Sequence, residues 1–444
     1  MPDDGFVQFN KHIIEYMRGV YVLLLISLLG YTGRVSGQES VTITQCYEWA
    51  RANYPQIHQM GLIDQTERYS LSNVGKAWLP QLSVSGKASY QSDVTKLPFD
   101  GDKISSLLPG FEIPSLSKDQ YQVVAQVDQT IWDGGSARSA RALTRAEATA
   151  NRKQLESELY ALNDRVNQLY FGCLLQDELI RQNALLQKEL QVNIERIEAM
   201  MENGVANQSD LESMEVELLN ARQNEIELKA SRTAYRQMLA TFINKPLTDQ
   251  VVLRTPESPE RSLSTQINRP ELRALDAKSE WIETQNKQVT AGLMPRIGAF
   301  VQGGYGRPGL NMLEDSFEPY YVAGVRLSWN LGKLYTLKND RRKIEVSRRQ
   351  IDVQRETFLF NTRLQLLRQN TEIKKMTDLM RADDDIIRLR TSIKQAAEVK
   401  LENGVISVTD LIREINAEDM ARQTAAAHRV QRLMTIYNYM YTTN

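Results

Sequence analysis

The chain is poor in cysteine, histidine and net charge, and it lacks a long apolar helix. Only two of its 444 residues are cysteine, Cys46 and Cys173. Their spacing fits no metal site, so they read as two unpaired thiols in helices, with a bridge left open. The three histidines, His12, His58 and His428, are scattered. No phosphate loop, nucleophile elbow or metal cluster accompanies them, so no catalytic residue, metal or cofactor is expected. The formal charge is -1 and no basic stripe is present, which excludes a nucleic-acid footprint. A mean hydropathy of -0.43 excludes a multi-span helical membrane protein.

The one apolar run, Val20 to Tyr31, follows Arg18 and is too short to span a bilayer comfortably. Val35-Ser36-Gly37 offers small residues for cleavage before Gln38, so residues 1–37 are expected to be a secretory signal peptide. Initiation at Met17 would give that leader a more ordinary form. No cysteine follows closely enough to indicate a lipid anchor.

What the chain does have is one unit twice. Glu202-Asn203-Gly204-Val205 recurs as Glu402-Asn403-Gly404-Val405, with Asp210 and Asp410 at the same offset. A long helical stretch precedes and follows each copy. The first long stretch, about Ala137 to Asn203, holds no proline and only Gly172, and at 1.5 Å per residue it reaches roughly 100 Å. Its counterpart runs from about Tyr335 to Asn403. Returning helices are expected over Gln208 to Phe242 and Val408 to Tyr441, and shorter helices over Thr42 to Ala77 and Pro270 to Gly292. Thr44 is placed to cap the first of these, and Pro55 implies a kink or a separate first helix.

After Leu79-Pro80 and again after Met294-Pro295 the period changes from 3.6 to 2. Strands are expected near 80–92, 121–132, 296–306 and 320–330, each long enough to cross a bilayer when tilted. Tyr90, Tyr121, Trp132, Tyr305, Tyr320 and Trp329 stand where interfacial aromatic girdles would. The repeats are expected over 38–243 and 269–444, with 244–268 as a linker holding Pro246, Pro256 and Pro259. Four strands cannot close a membrane barrel, and an open edge in lipid is prohibitive. Either the sheet lies in water or several chains share one barrel.

The run Val41 to Ala50 followed by Asn53-Tyr54-Pro55, the two proline-marked strand starts, and the duplicated Glu-Asn-Gly-Val turns together resemble the TolC-like outer-membrane efflux proteins. The resemblance covers essentially the whole mature chain. It implies an α+β membrane protein in which a long α-helical coiled-coil barrel joins a transmembrane β-barrel, four strands per chain, closed as a homotrimer. It implies an outer-membrane exit duct for efflux or type I-like secretion, with helices in the periplasm. The partners would be a periplasmic adaptor (membrane fusion) protein, an inner-membrane pump or exporter, and outer-membrane lipid. Gly204, Val205, Gly404 and Val405 would form the periplasmic tip where the adaptor docks. Asp210 and Asp410 are expected to be helix caps, following Asn207 and Ser407, and the resemblance makes Asp410 a gate candidate as well. Arg413 departs from the family, standing where relatives carry a second acidic residue, and is spaced to pair with Asp410. The competing reading is a periplasmic coiled-coil adaptor or scaffold, for which compact soluble sheets after one central hairpin would be expected.

Overall fold

The computed structural model describes residues 40–95, 116–258, 264–312 and 314–444. The expected leader, with Val20 to Tyr31, lies outside the described residues, as does His12. In chain order the elements are β1 (Ser40–Val41), α1 (Ile43–Asn53), a 3-10 turn (Pro55–His58), α2 (Gln59–Lys76), β2 (Gln81–Tyr90), β3 (Asp119–Trp132), α3 (Ser136–Tyr160), α4 (Leu162–Glu202), α5 (Gln208–Ile243), β4 (Val252–Leu253), α6 (Pro270–Ala291), β5 (Arg296–Arg307), β6 (Glu318–Ser328), α7 (Lys333–Glu402) and α8 (Val408–Thr443).

Proline sets several of these bounds. Pro55 has no N–H to give a preceding turn, so α1 stops at Asn53 and a 3-10 turn begins at Pro55. Pro270 opens α6, where the missing N–H costs nothing. The cap of α1 is Thr42, not Thr44. Thr42 Oγ1 accepts from the Gln45 amide at 3.4 Å, and the Thr42 amide donates to Gln45 Oε1 at 2.9 Å. That is a Thr-x-x-Gln capping box, two residues earlier than the cap expected. The first long helical stretch is interrupted at Ala161, whose φ of -61° and ψ of -17° stay in the right-handed helical region. Its counterpart α7 runs 70 residues without interruption.

The larger sheet is wholly antiparallel in the order β2-β3-β5-β6. Its register brings Leu82 beside Val127, Val127 beside Val301 and Val301 beside Ala323. The same face carries Val84, Tyr90, Tyr121, Val123, Tyr305, Tyr321, Val325 and Leu327. The opposite face carries Lys87, Gln122, Gln126, Asp128, Arg296, Gln302 and Arg326. The register shifts between Thr130 and Trp132, so Trp132 pairs with Ile297. A small parallel sheet joins β1 to β4.

The chain forms two compact units. One comprises Leu169–Glu257 with the described part of Met1–Trp49, and the other comprises Ala50–Gln168 and the described part of Ser258–Asn444. In the first unit, Tyr170, Phe171, Leu190, Ile197, Met214, Leu239 and Ile243 are fully buried. The Tyr170 hydroxyl lies 2.8 Å from the Val41 carbonyl and 2.7 Å from that of Arg254, tying both small strands to α4. Gly172 is required by close packing, since a β-carbon there would lie 2.6 Å from the Tyr235 ring. Cys46 and Cys173 are both buried and free. Burial first, then the neighbouring Cys173 thiol, pushes the Cys46 pKa up to about 12. Burial likewise takes Cys173 to about 12.

In the second unit, one buried arginine gathers the helices. The Arg269 guanidinium lies 4.5 Å from the Tyr441 ring, 5.3 Å from Tyr160 and 5.7 Å from Phe358, and it pairs with Glu271. Tyr160 and Tyr441 stack at 4.9 Å. A guanidinium buried this way keeps its charge by stacking on aromatic faces and pairing with a carboxylate. Nearer the sheet, Ile282 of α6 packs against Ile344 and Ile351 of α7.

Candidate functional site

The two repeated turns have the same geometry. Gly204 and Gly404 both adopt a φ of +69°, the left-handed conformation that ends a helix and that glycine reaches without strain. The Gly204 amide donates to Met201 O at 2.9 Å and the Val205 amide to Met200 O at 2.8 Å. Gly404 and Val405 repeat this to Leu401 O and Lys400 O at the same distances. This pair of bonds is a Schellman motif. Val205 and Val405 are left exposed at 58% and 67%.

The following helices open on reciprocal caps. Asn207 Oδ1 accepts from the Asp210 amide at 3.1 Å while Asp210 Oδ2 accepts from the Asn207 amide at 3.1 Å. Ser407 Oγ accepts from the Asp410 amide at 3.2 Å and its hydroxyl donates to Asp410 Oδ2 at 2.8 Å. The Asp410 carboxyl is held below the usual carboxylate range, first by the Ser407 hydroxyl and amide, and to a lesser degree by Arg413. Arg413 Nη2 lies 3.3 Å from Asp410 Oδ1. The carboxylate expected as cap or gate thus forms a cap and pairs with the arginine.

Above this turn α7 and α8 share a polar ladder that the sequence did not reveal. Glu418 is 2% exposed and lies 2.7 Å from Lys394 Nζ. It also accepts from Thr391 at 2.5 Å and pairs with Arg422. Burial by itself raises the Glu418 pKa, but the bonds from Lys394, Thr391 and Arg422 outweigh it and leave the group lowered. His428 Nδ1 lies 2.7 Å from Asp383 Oδ2 further along. These partners are one helix apart and tens of residues away in sequence, so only an i,i+4 signal such as Glu418–Arg422 was available to find them.

The sheet inverts the usual pattern of a soluble protein. Its apolar face is the exposed one: Leu82 is 71% exposed, Tyr321 80% and Val325 70%. The alternate residues of β3, Gln122, Gln126 and Asp128, are half-buried. Aromatics gather at both ends of the apolar face. Tyr121 and Tyr305 stack with Phe317 at 6.4 and 5.7 Å at one end. At the helix end, Trp132 and Trp329 are exposed, and Trp329 Nε1 donates to Leu293 O at 2.9 Å. Tyr320 is a correction to the expected girdle. It pairs with Gly304 on the polar face, because one step of a strand separates it from the outward-facing Tyr321. No helix among the described residues is long and apolar enough to cross a membrane. Among them, too, no group of three or more His, Cys, Asp or Glu could hold a metal ion.

Long helices here carry a small antiparallel sheet whose exposed face is apolar. Residues 46–245 match the model of the family described as outer membrane efflux protein. Solved structures share the fold. The outer membrane protein VceC of Vibrio cholerae matches with a TM-score of 0.60 at 12% identity, covering 90% of this chain and 95% of that one. The CmeC outer membrane channel of Campylobacter jejuni matches at 0.62 and 11%, covering 90% and 85%. The open state of the MtrE outer membrane channel of Neisseria gonorrhoeae matches at 0.62 and 14%, covering 90% and 88%. No curated protein matches the sequence.

Proposed function

We propose that this protein is the outer-membrane exit duct of an efflux or secretion system. In this reading three copies close one transmembrane barrel, and the helices extend into the periplasm. The observation that carries it is the sheet, with an exposed apolar face, a polar face behind it, and two edge strands. β2 and β6 each have one neighbour among the described residues. Edges and an apolar face of this kind are stable in lipid only if β6 of one copy pairs with β2 of the next around a closed ring. Two copies would give eight strands, an interior just wide enough for side chains to fill, so three is the smallest ring that leaves an aqueous lumen.

Helix α7 supports the same assembly. Val346, Val353, Phe360 and Leu367 recur every seven residues and are all exposed, and Leu379, Ile386 and Ile393 repeat the spacing further on. Such a seam is the surface a neighbouring copy would cover in a coiled-coil wall. The duct itself is passive. Energy comes from an inner-membrane pump or exporter, reached through a periplasmic adaptor that docks at the turns around Gly204-Val205 and Gly404-Val405. Asp410, three per trimer, is the candidate gate residue, and opening would rearrange the helices at that end.

The test is conductance. Full-length protein extracted from an outer-membrane fraction is added to a planar bilayer. Discrete, long-lived channel steps support the duct. A protein that purifies as a folded trimer yet never conducts, even after the turns are perturbed by Asp410→Ala, contradicts it.

A further inference from the structure

The polar face of the sheet has a basic band at its helix end. Arg326 of β6 lies opposite Gly298, and Arg296 of β5 lies opposite Ser328, so both side chains belong to that face. The Arg326 guanidinium rests 4.7 Å from the Phe300 ring, and its Nη1 is 3.8 Å from Asp128 Oδ1. Phe300 is itself pressed onto Gly324, where a β-carbon would lie 3.1 Å from the ring. Arg296 Nη2 is 3.2 Å from Ser136 Oγ at the start of α3. The two arginines border an open cavity of about 460 Å³ that also takes in Trp78, Thr130 and Phe300.

The two carboxylates that border the cavity are directed differently from the arginines. Asp128 is the acidic residue of the polar face here. The other carboxylate, Asp133, accepts from the amides of Gly135 and Ala137 at 2.8 and 2.6 Å, so its charge faces the positive start of α3 and is offset there in part. Arg326 is 57% exposed even with Asp128 beside it, so its outer face is free to meet a solute. The stacking on Phe300 holds the Arg326 guanidinium in place on its strand without consuming its hydrogen-bond donors.

We infer that Arg296 and Arg326 form an anion-favouring band in the lumen, where the β-barrel opens into the helices. The inference rests on the duct reading, since only a closed ring turns the polar face into a lumen. Three copies would place six guanidiniums around the passage, with three Asp128 carboxylates among them and three Asp133 carboxylates held at the starts of the α3 helices. Rings of arginine are how pores favour anions, by offsetting the loss of hydration that a negative solute suffers in a narrow passage. The fitting solutes are anions with an apolar portion, because Trp78 and Phe300 line the same cavity.

The experiment is reversal potential in planar bilayers under a tenfold KCl gradient, comparing the full-length protein with Arg326→Gln, Arg326→Glu and Arg296→Glu. The expected result is a stepwise fall in the chloride-to-potassium permeability ratio, at least threefold for Arg326→Glu, with channels still forming. Unchanged ratios in variants that conduct normally would overturn the band while leaving the duct intact. Absence of channels from folded wild-type trimer would overturn the duct and the band together. If Arg326→Glu fails to fold, Arg296→Glu and Arg326→Gln carry the same test.

Discussion

Tyr320 lies flat across Gly304. The two residues are paired between β5 and β6, and a β-carbon on Gly304 would come within 2.3 Å of the Tyr320 ring. The phenol hydroxyl meets Gln122 Nε2 on the far side of β5. Phe300 lies over Gly324 in the same way. The aromatics of the polar face are thus laid along the sheet rather than projected from it, which stiffens strands that contain glycine and would keep the lumen of the proposed duct clear.

Filling Gly304 should therefore act on both passage and stability. Gly304→Val is expected to lift Tyr320 off the sheet, lower single-channel conductance, and cost about 1 to 3 kcal/mol through overpacking. Thermal unfolding and conductance of the same preparation check this. The double variant Gly304→Val with Tyr320→Ala should recover conductance, and a failure to recover would mean the ring is not the obstacle.

Glu418 holds α7 to α8 from a buried position. Replacing it with Gln removes the carboxylate that Lys394 and Arg422 share, and is expected to destabilise by about 3 kcal/mol, the cost of stranding a buried charge. The pH dependence has a definite sign. The folded pKa is lowered, so this contribution is complete above the ordinary glutamate pKa and is lost as pH falls through the lowered value. Wild type should lose more stability than Glu418→Gln as pH drops below the ordinary range, as melting at several pH values would reveal. Parallel pH profiles would assign the stability to other groups.

At the second turn, Asp410→Ala removes the reciprocal cap with Ser407 and the partner of Arg413. The expected outcome is a higher resting conductance at unchanged trimer yield. Unchanged resting conductance would leave Asp410 a helix cap without a gating role. Gly404→Ala tests the turn itself. Its φ of +69° strains any L side chain, so a loss of about 1 kcal/mol is expected.

Cys46 and Cys173 should be silent in the folded protein. With both thiols buried and their pKa values near 12, iodoacetamide at pH 8 is expected to modify neither until the chain is denatured, and then to modify both. Rapid labelling of the native protein would show that the unit around α4 opens readily.

Much of the architecture was legible because local chemistry announced it. Pro80 and Pro295 stand directly before the strands that begin at Gln81 and Arg296. The Asn-x-x-Asp and Ser-x-x-Asp patterns after Gly204 and Gly404 became reciprocal caps. What stayed hidden depends on distance in sequence. Nothing near Ala161 signalled an interruption, since Leu159, Tyr160 and Leu162 all suit a helix. The gathering of Tyr160, Phe358 and Tyr441 around Arg269 needs the fold before it exists. Tyr320 was misplaced for a subtler reason. Two adjacent tyrosines, Tyr320 and Tyr321, must face opposite sides, and only the register with Gly304 and Gly303 tells which is which.

The most direct test of the shared barrel is electron cryomicroscopy of the full-length protein extracted from an outer-membrane fraction. A threefold particle is expected, with β6 of each copy hydrogen-bonded to β2 of the next and the apolar face toward detergent. A monomer or twofold particle with those edge strands unpaired, or one with the apolar face turned inward, would contradict the duct.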